Sequence, residues 1–482
     1  MTLRRDNGEM NDAFVVGSGP NGLTAAVVLA EAGLRVTVLE AADQIGGGTR
    51  TSELTVPGLL HDHCSAVHPM GVASPVLREL GLDLEWLWPE VDLAHPLDGG
   101  TAGVLLKSLG DTASGLGVDG AAWRSLFAPL SEGFDALNDD ILRPVLHLPS
   151  HPLLLARFGS RALLPASVLA RRWTTDEARA LFAGVAAHAF RPLTSPFTSA
   201  VGLALGAAGH AYGWPVARGG SRGVTDALAT RLLALGGTIE TGSPVRSLAE
   251  LPAGALTLLD VSPRAAADLA GDRLPPRVAR AYRRYRYGPG SFKVDLAVEG
   301  GIPWAAEACL RAGTVHLGGS FEQIAAAEQD VVAGRMPDRP FVLVAQQYLA
   351  DPSRSAGDVH PVWAYAHVPK GWDGDGAEVI LRQLERFAPG TRDRVVGMAT
   401  RSPAGFEAYN ANYIGGDIGT GANDPWQLVI RPRLAVNPYS TGIAGVYLCS
   451  AATPPGAGVH GMCGANAARS ALKYLGHQAG SL

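Results

Sequence analysis

Residues 15–40 read VVGSGPNGLTAAVVLAEAGLRVTVLE, and three glycines decide what they mean. Gly17, Gly19 and Gly22 stand at G-x-G-x-x-G spacing between the apolar run 14–17 and a stretch, 23–32, with Ala and Leu at helical spacing. Gly33 stops that helix, and the β-branched RVTVLE of 35–40 follows. Strand, tight turn, helix and strand make one βαβ unit opening a parallel sheet. The glycines, with Ser18, Pro20 and Asn21 between them, let the backbone approach a pyrophosphate and aim the helix N-terminus at its charge. Glu40 ends the second strand 18 residues beyond Gly22, where a carboxylate accepts hydrogen bonds from an adenosine ribose. The stretch predicts a dinucleotide site, and FAD and NAD satisfy it equally.

Size and composition set the frame around this unit. A chain of 482 residues that is 47% hydrophobic buries a large core and exceeds one ordinary domain, so two lobes are expected. A net charge of −5 argues against a nucleic-acid partner. Only Lys107, Lys293, Lys370 and Lys473 are lysines among 40 basic residues, a skew that carries no functional reading. Cys64, Cys309, Cys449 and Cys463 form no CxxC pair, which speaks against a disulfide framework or redox dithiol and makes a reducing cytoplasm the expected compartment. The leading MTLRRDNGEMNDA lacks an apolar signal region, and Met10 is a second candidate start. No run of 18 apolar residues free of Gly, Pro and charge occurs, which excludes a conventional membrane span and leaves peripheral contact open.

Along the chain, residues from about 105 to 210 turn Leu- and Ala-rich and are broken by prolines, which predicts a helical lobe. Alternation resumes with a helix at 222–235 and the strand-like TIETGSPVRSL and ALTLLDVS, expected to return to the first sheet. SFKVDLAV at 291–298, FVLVAQQYLA at 341–350 and PVWAYAHVP at 361–369 read as further strands, and VYLCSAA at 446–452 precedes PPGAGVHGMCG and a helix of small residues. No internal repeat or low-complexity tract is present.

Two Gly-rich segments separate FAD from NAD. IGGGTR at 45–50 resembles the GG motif of FAD-binding oxidoreductases, in which backbone amides and an arginine contact the second phosphate and the flavin side. GVYLCSAATPPGAGVHGMCGANAARSAL at 445–472 resembles the C-terminal FAD motif of the phytoene desaturase and flavin amine oxidase families. Gly219-Gly220 before a helix, and GGTIETGSPVRSL with Val245 at the adenine, resemble further pieces of the same fold. YNANYIGGDIGTG at 409–421 and IRPRLAVNPYSTGIAG at 430–445 resemble the branch related to phytoene desaturase.

The resemblance spans 14–475 and implies an α/β architecture: a Rossmann-like FAD-binding domain with a second, α+β substrate lobe. It places Gly47, Gly48, Thr49 and Arg50, and at the other end Ser450, Val459, His460, Gly461 and Met462, along FAD. Cys449-Ser450 departs from the Gly-Asp or Gly-Ala of many relatives. The expected division is 12–104 for a first part of the FAD-binding domain and 105–213 for a helical cap. A second FAD-binding part follows at 214–298, a second part of the substrate lobe at 299–405, and the part carrying the flavin motif at 406–476.

Lys293, in PGSFKVDLAV, is the candidate catalytic side chain, because in amine oxidases such a strand carries a lysine that holds water against the flavin. An ion pair with Asp295, on the same strand face, is the competing reading. HDHCSAVHP at 61–69 gathers His61, His63, Cys64 and His68 without a second ligand pair, so no metal is expected. Desaturase relatives run this stretch along the flavin, which makes Asp62, His63 and Ser65 candidates for substrate or flavin contact, His63 as a catalytic group. RVARAYRRYRYGPG at 277–290 reads as a solvated helix face rather than a nucleic-acid patch. His360 lies beside a strand that carries Trp363, Tyr365 and His367 on one face, a candidate substrate wall or simple packing.

No second nucleotide fingerprint accompanies the first: GLALGAAGHAYG at 202–213 has the wrong spacing. The expected reaction is therefore oxidation of a substrate, with hydride passing to flavin N5 and O₂, a quinone or another acceptor reoxidising it, and the resemblance to phytoene desaturases implies desaturation of a mostly apolar small molecule. Amine oxidation, redox-neutral isomerisation and a non-catalytic FAD-binding module are the alternatives. Cys449 and Cys463 raise the question of a covalent flavin. Substrate, acceptor and oligomeric state stay open on sequence.

Overall fold

The computed structural model describes residues 12–479, so the leading stretch and its second candidate start lie largely outside the described residues. Five parallel strands form the first sheet, in the spatial order Val446–Leu448, Leu256–Leu259, Asp12–Val16, Arg35–Leu39, Thr238–Glu240. The predicted βαβ unit lies at its centre, and Val15, Val36 and Val38 are buried. Helix Pro20–Glu31 starts with Pro at its first turn, buries Leu23, Ala25, Ala26, Val27 and Leu29, and ends before Gly33 at φ +93°.

The C-terminal helix Met462–Ala479 packs along this first helix. A Cβ on Gly464 would stand 1.9 Å from Asn21 O, and one on Gly461 2.4 Å from Thr24 Oγ1. Two helix N-termini therefore converge at one end of the sheet.

A second sheet of seven strands has the order Val395–Arg401, Gly290–Glu299, Val359–Val368, Val342–Ala345, Ala312–Leu317, Val91–Pro96, Ala102–Leu105. Its pairings are antiparallel except Ala312–Leu317 with Val91–Pro96. Helices between residues 109 and 212 cover one face, with Trp123, Phe127, Trp173 and Phe182 in a core that also takes in Trp363 and Tyr365.

This topology moves two expected boundaries. Residues 91–104, expected in the first FAD-binding segment, and 290–298, expected in the second, are strands of the second sheet. Their apolar patterns identify strands, but partner strands from other parts of the chain decide which sheet they join. In the run 277–290, Arg277, Arg280, Arg283, Arg284 and Arg286 are exposed, while Tyr282, Tyr285 and Tyr287 are buried. Among the described residues no single helix is long and apolar enough to cross a membrane; Pro152–Ala162 with Ala166–Arg172 passes only as a pair bent by 95°.

A buried ion pair ties the strand beside the GG loop to the lobe of the second sheet. Arg354 Nη1 donates to Asp62 Oδ2 at 2.5 Å, and both side chains are 0% exposed. Asp62 Oδ1 also accepts from Ser221 N and Thr51 Oγ1, each at 2.7 Å, and Arg354 Nη2 donates to Ala217 O at 3.0 Å. Asp351, 3.5 Å from Arg354 Nε, accepts from Gly219 N at 2.7 Å. Burial would raise the Asp62 pKa, but Arg354 and these donors hold it below the usual carboxylate range. Arg354→Met leaves that carboxylate buried without its cation, so urea denaturation should show a loss of about 3–5 kcal/mol. A loss below about 1 kcal/mol, the value of a surface pair, would mean that the lobes are held elsewhere.

Candidate active site

The glycine turn and the GG loop form one cradle. Gly17 takes φ +102° and donates to Leu39 O at 2.8 Å. A Cβ on Gly22 would lie 2.2 Å from Gly17 O, so only glycine permits this crossing. Gly46 N donates to Ser18 O at 3.0 Å, and a Cβ on Gly47 would lie 3.0 Å from Gly19 Cα. Glu40 accepts from Ser18 N at 2.8 Å, from Ser18 Oγ at 2.5 Å and from Ala42 N at 2.9 Å. Arg50 stands 3.6 Å from Glu40 and donates to Gln44 O and Ile45 O, so it ties the GG loop to the acidic strand. Ser243 N donates to Glu40 O at 2.8 Å, and nearby Val245 packs in the cluster that includes Leu39.

On the other side, His460 Nδ1 accepts from Met462 N at 3.1 Å at the start of the C-terminal helix, and His460 O accepts from Ser74 Oγ at 2.6 Å. Gly461 takes φ +66°, and Val459 is half-buried against the apolar cluster of the first sheet and its helices. Burial pushes the thiols of Cys449 and Cys463 up, Cys463 to about 12, so neither supplies a thiolate at neutral pH. Cys463 Sγ instead donates to Thr453 O and Gly456 O.

The stretch 61–65 runs beside the GG loop. Thr51–Glu53 pairs antiparallel with Leu60–Asp62, His63 N donates to Arg50 O at 2.8 Å, and Ser65 N to Gly48 O at 3.0 Å. Because Arg401 Nη2 donates to His63 Nδ1 at 3.0 Å, the ring proton sits on Nε2, 2.6 Å from Ser52 Oγ. Burial, then Arg401 and Lys293, push this imidazole down to about 4, and its ring stacks on Tyr409 at 5.2 Å. His63 is thus neutral with both nitrogens engaged. Among the described residues no group of three or more His, Cys, Asp or Glu could hold a metal.

Lys293 is completely buried and pairs with Asp295, whose other oxygen lies 3.5 Å from His61 Nδ1. Its ammonium lies over Trp363 at 5.8 Å. Burial lowers the Lys293 pKa, while the Asp295 carboxylate resists that shift. The candidate wall is packed: Phe190 stacks on His367 at 3.8 Å, and His367 Nδ1 is 2.7 Å from Glu328 Oε1.

Several residues at the site escaped the sequence reading. Tyr409 Oη donates to Gly47 O at 2.5 Å, and a Cβ on Gly48 would meet Tyr413 Oη at 2.1 Å. Arg401 lies over the Tyr409 ring at 4.2 Å, and its Nη1 is buried without a hydrogen-bond partner. A groove of about 510 Å³ lined by Phe292, Asp375, Arg401, Ser402 and Tyr409 opens onto this pair. YNANYIGGDIGTG was visible as a motif, but nothing in it told which tyrosine meets which glycine. Asp260, at the end of Leu256–Leu259, accepts from Gly22 N at 3.0 Å.

The donor set fits a flavin dinucleotide. Two converging helix N-termini suit its phosphates and a reduced ring, Glu40 suits the ribose, and Asn21 Oδ1 and Ser450 Oγ are buried polar atoms without partners at the two ends of the cradle. Residues 15–80 match the family described as NAD(P)-binding Rossmann-like domain. Over 96% of its length the chain is similar to pyridine nucleotide-disulfide oxidoreductase domain-containing protein 2 of Rattus norvegicus, at 24% identity and covering 94% of that protein. An oxidoreductase from Methanosarcina mazei superposes with a TM-score of 0.62 at 17% identity, covering 96% of this chain and 100% of that one. Putrescine oxidase superposes at 0.60 and 18% identity, covering 97% and 99%. The fold is shared with the Methanosarcina mazei oxidoreductase and with putrescine oxidase.

Burial also sets an acid limit. His63, His68, His95, His210 and His460 are pushed down to about 4 and His188 to about 3, each chiefly by desolvation. The unfolded chain protonates these rings near pH 6.5 and the folded chain does not, so stability falls as pH drops from about 6.5 toward 4. Asp92 and Asp260, pushed up by burial to about 6 and about 7, oppose this but are outnumbered. The urea midpoint should therefore be lower at pH 5 than at pH 7; an equal or higher midpoint at pH 5 would contradict the neutral assignment.

Proposed function

We propose that the protein is an FAD-dependent oxidoreductase that desaturates a mostly apolar organic substrate. The observation carrying this reading is the cradle itself: glycine turn, GG loop and the start of the C-terminal helix meet at one place, and the charge of Lys293 acts on His63 and Cys64 in the stretch beside the GG loop. The glycine turn, the GG loop and the start of the C-terminal helix would hold FAD, which when bound would supply two-electron oxidation, the substrate losing a hydride and a proton and the electron pair passing finally to O₂ or a quinone. The chain's own residues would position the reactants and exclude water. Trp363, over which the Lys293 ammonium lies, joins the apolar core under the helical lobe, which suits a hydrocarbon surface. Lys293 and Asp295 would hold a proton or a water molecule at the edge of this wall, and Arg401 with His63 would close the groove side. Four free, buried cysteines give no support to dithiol chemistry.

Amine oxidation is the second reading. Lys293, fully buried on the strand where the resemblance expects it, favours it; residues 450–462, without a Phe, Tyr or Trp, do not supply an aromatic cage from that side. The purified protein is expected to release FAD on denaturation and to bleach anaerobically with polyenes or hydroxylated lipids rather than amines. Bleaching by amines alone would select the second reading; product without bleaching would select isomerisation. Lys293→Met should slow either flavin reduction or its reoxidation by about 10²-fold with FAD content retained. Unchanged rates for both half-reactions would remove Lys293 from the chemistry.

A further inference from the structure

Asp260 occupies the dinucleotide turn from within. Its Oδ2 accepts from Gly22 N at 3.0 Å, and a Cβ on Gly19 would come within 2.7 Å of the same oxygen. The Gly19 amide also lies close enough to act on this carboxyl and favour its charged form. Its backbone is fixed on both sides: Asp260 N donates to Val16 O at 2.8 Å, and Asn412 Nδ2 donates to Asp260 O at 3.2 Å. The side chain is nine-tenths buried and cannot swing out to water.

The amides that a pyrophosphate would use are thus shared with an acid of the chain. The titratable groups acting on it from its surroundings are Glu40 across the turn, Cys449 beyond the adjacent strand end and Cys463 on the C-terminal helix, and no cation stands among its partners. Two anions gathered around one set of amides repel strongly in a buried site. One proton removes the conflict, because a neutral carboxyl keeps one oxygen to accept from the glycine amides and gains an O–H that can donate to phosphate.

We propose that Asp260 is a cofactor-binding residue that carries a proton when the dinucleotide is bound and donates it in a hydrogen bond to the pyrophosphate, so that binding takes up one proton. This rests on the FAD reading above. Burial first, and Glu40 after it, push this carboxyl up to about 7 without a ligand, and an arriving phosphate pushes it further in the same direction.

The test is FAD dissociation from the purified protein, followed by flavin fluorescence from pH 6 to pH 9. Wild type should weaken about tenfold per pH unit above 7, whereas Asp260→Asn, which keeps an acceptor for Gly22 N, should bind with no such slope. Calorimetry on the wild type at pH 8, in buffers of different ionisation heat, should report uptake of about one proton and does not depend on the variant folding. A flat wild-type profile, absent proton uptake, or the same slope in Asp260→Asn would overturn the assignment. No FAD binding at any pH would instead overturn the FAD reading, and this inference with it.

Discussion

The pair between Asp62 and Arg354 is the constraint on which the arrangement rests. Asp62 lies at the end of a short strand beside the GG loop, Arg354 comes from the second sheet's lobe, and the bonds to Ser221, Ala217 and, through Asp351, Gly219 fix the turn that starts the helix after residue 221. Two buried charges are costly to desolvate, and this geometry offsets the cost because both Asp62 oxygens and both terminal nitrogens of Arg354 have hydrogen-bond partners. With Asp62 fixed, the strand period sets the direction of the residues on either side of it. His61 faces Asp295 and Thr55, while His63 faces Arg401 and Ser52. One register thus aligns the edge of the dinucleotide cradle with the buried lysine of the other sheet.

Around the cradle the fixed charges are distributed by type. Helix N-termini and glycine amides supply positive potential without ionisable groups where phosphates are expected. The ionisable groups stand beyond it in pairs: Lys293 with Asp295, Arg401 with His63, Arg50 with Glu40. Burial keeps the imidazoles neutral, so near pH 7 they act as oriented donors and acceptors rather than as charges. Asp260 is the exception, an acid placed among the amides themselves.

Much of this was legible in the sequence because it depends on neighbours along the chain. The glycine spacing, the acid ending the next strand and the C-terminal small-residue helix are local patterns, and their backbone geometry follows from residue type. Sheet membership of 91–105 and 290–298 was not legible, since an apolar alternation names a face and not a partner. The same reason hid Arg401, Tyr409 and Tyr413, which reach Lys293, Gly47 and Gly48 only through pairings across a hundred residues or several hundred. Lys293 shows the middle case: its pairing with Asp295 followed from strand period, but its complete burial depended on the strands at either side.

The close contact between the first helix and the last has a consequence for how the molecule comes into being. The ribosome delivers Gly22 roughly 440 residues before Met462, and the edge strand Val446–Leu448 emerges almost as late. Until then the glycine turn has one of its two flanking helices and Leu256–Leu259 has one of its two strand neighbours. Contacts of such long range close late, after the intervening lobe has gathered its own core. The pocket is therefore walled on both sides only once Met462–Ala479 has been made, and a chain that stops short of that helix holds a half-cradle.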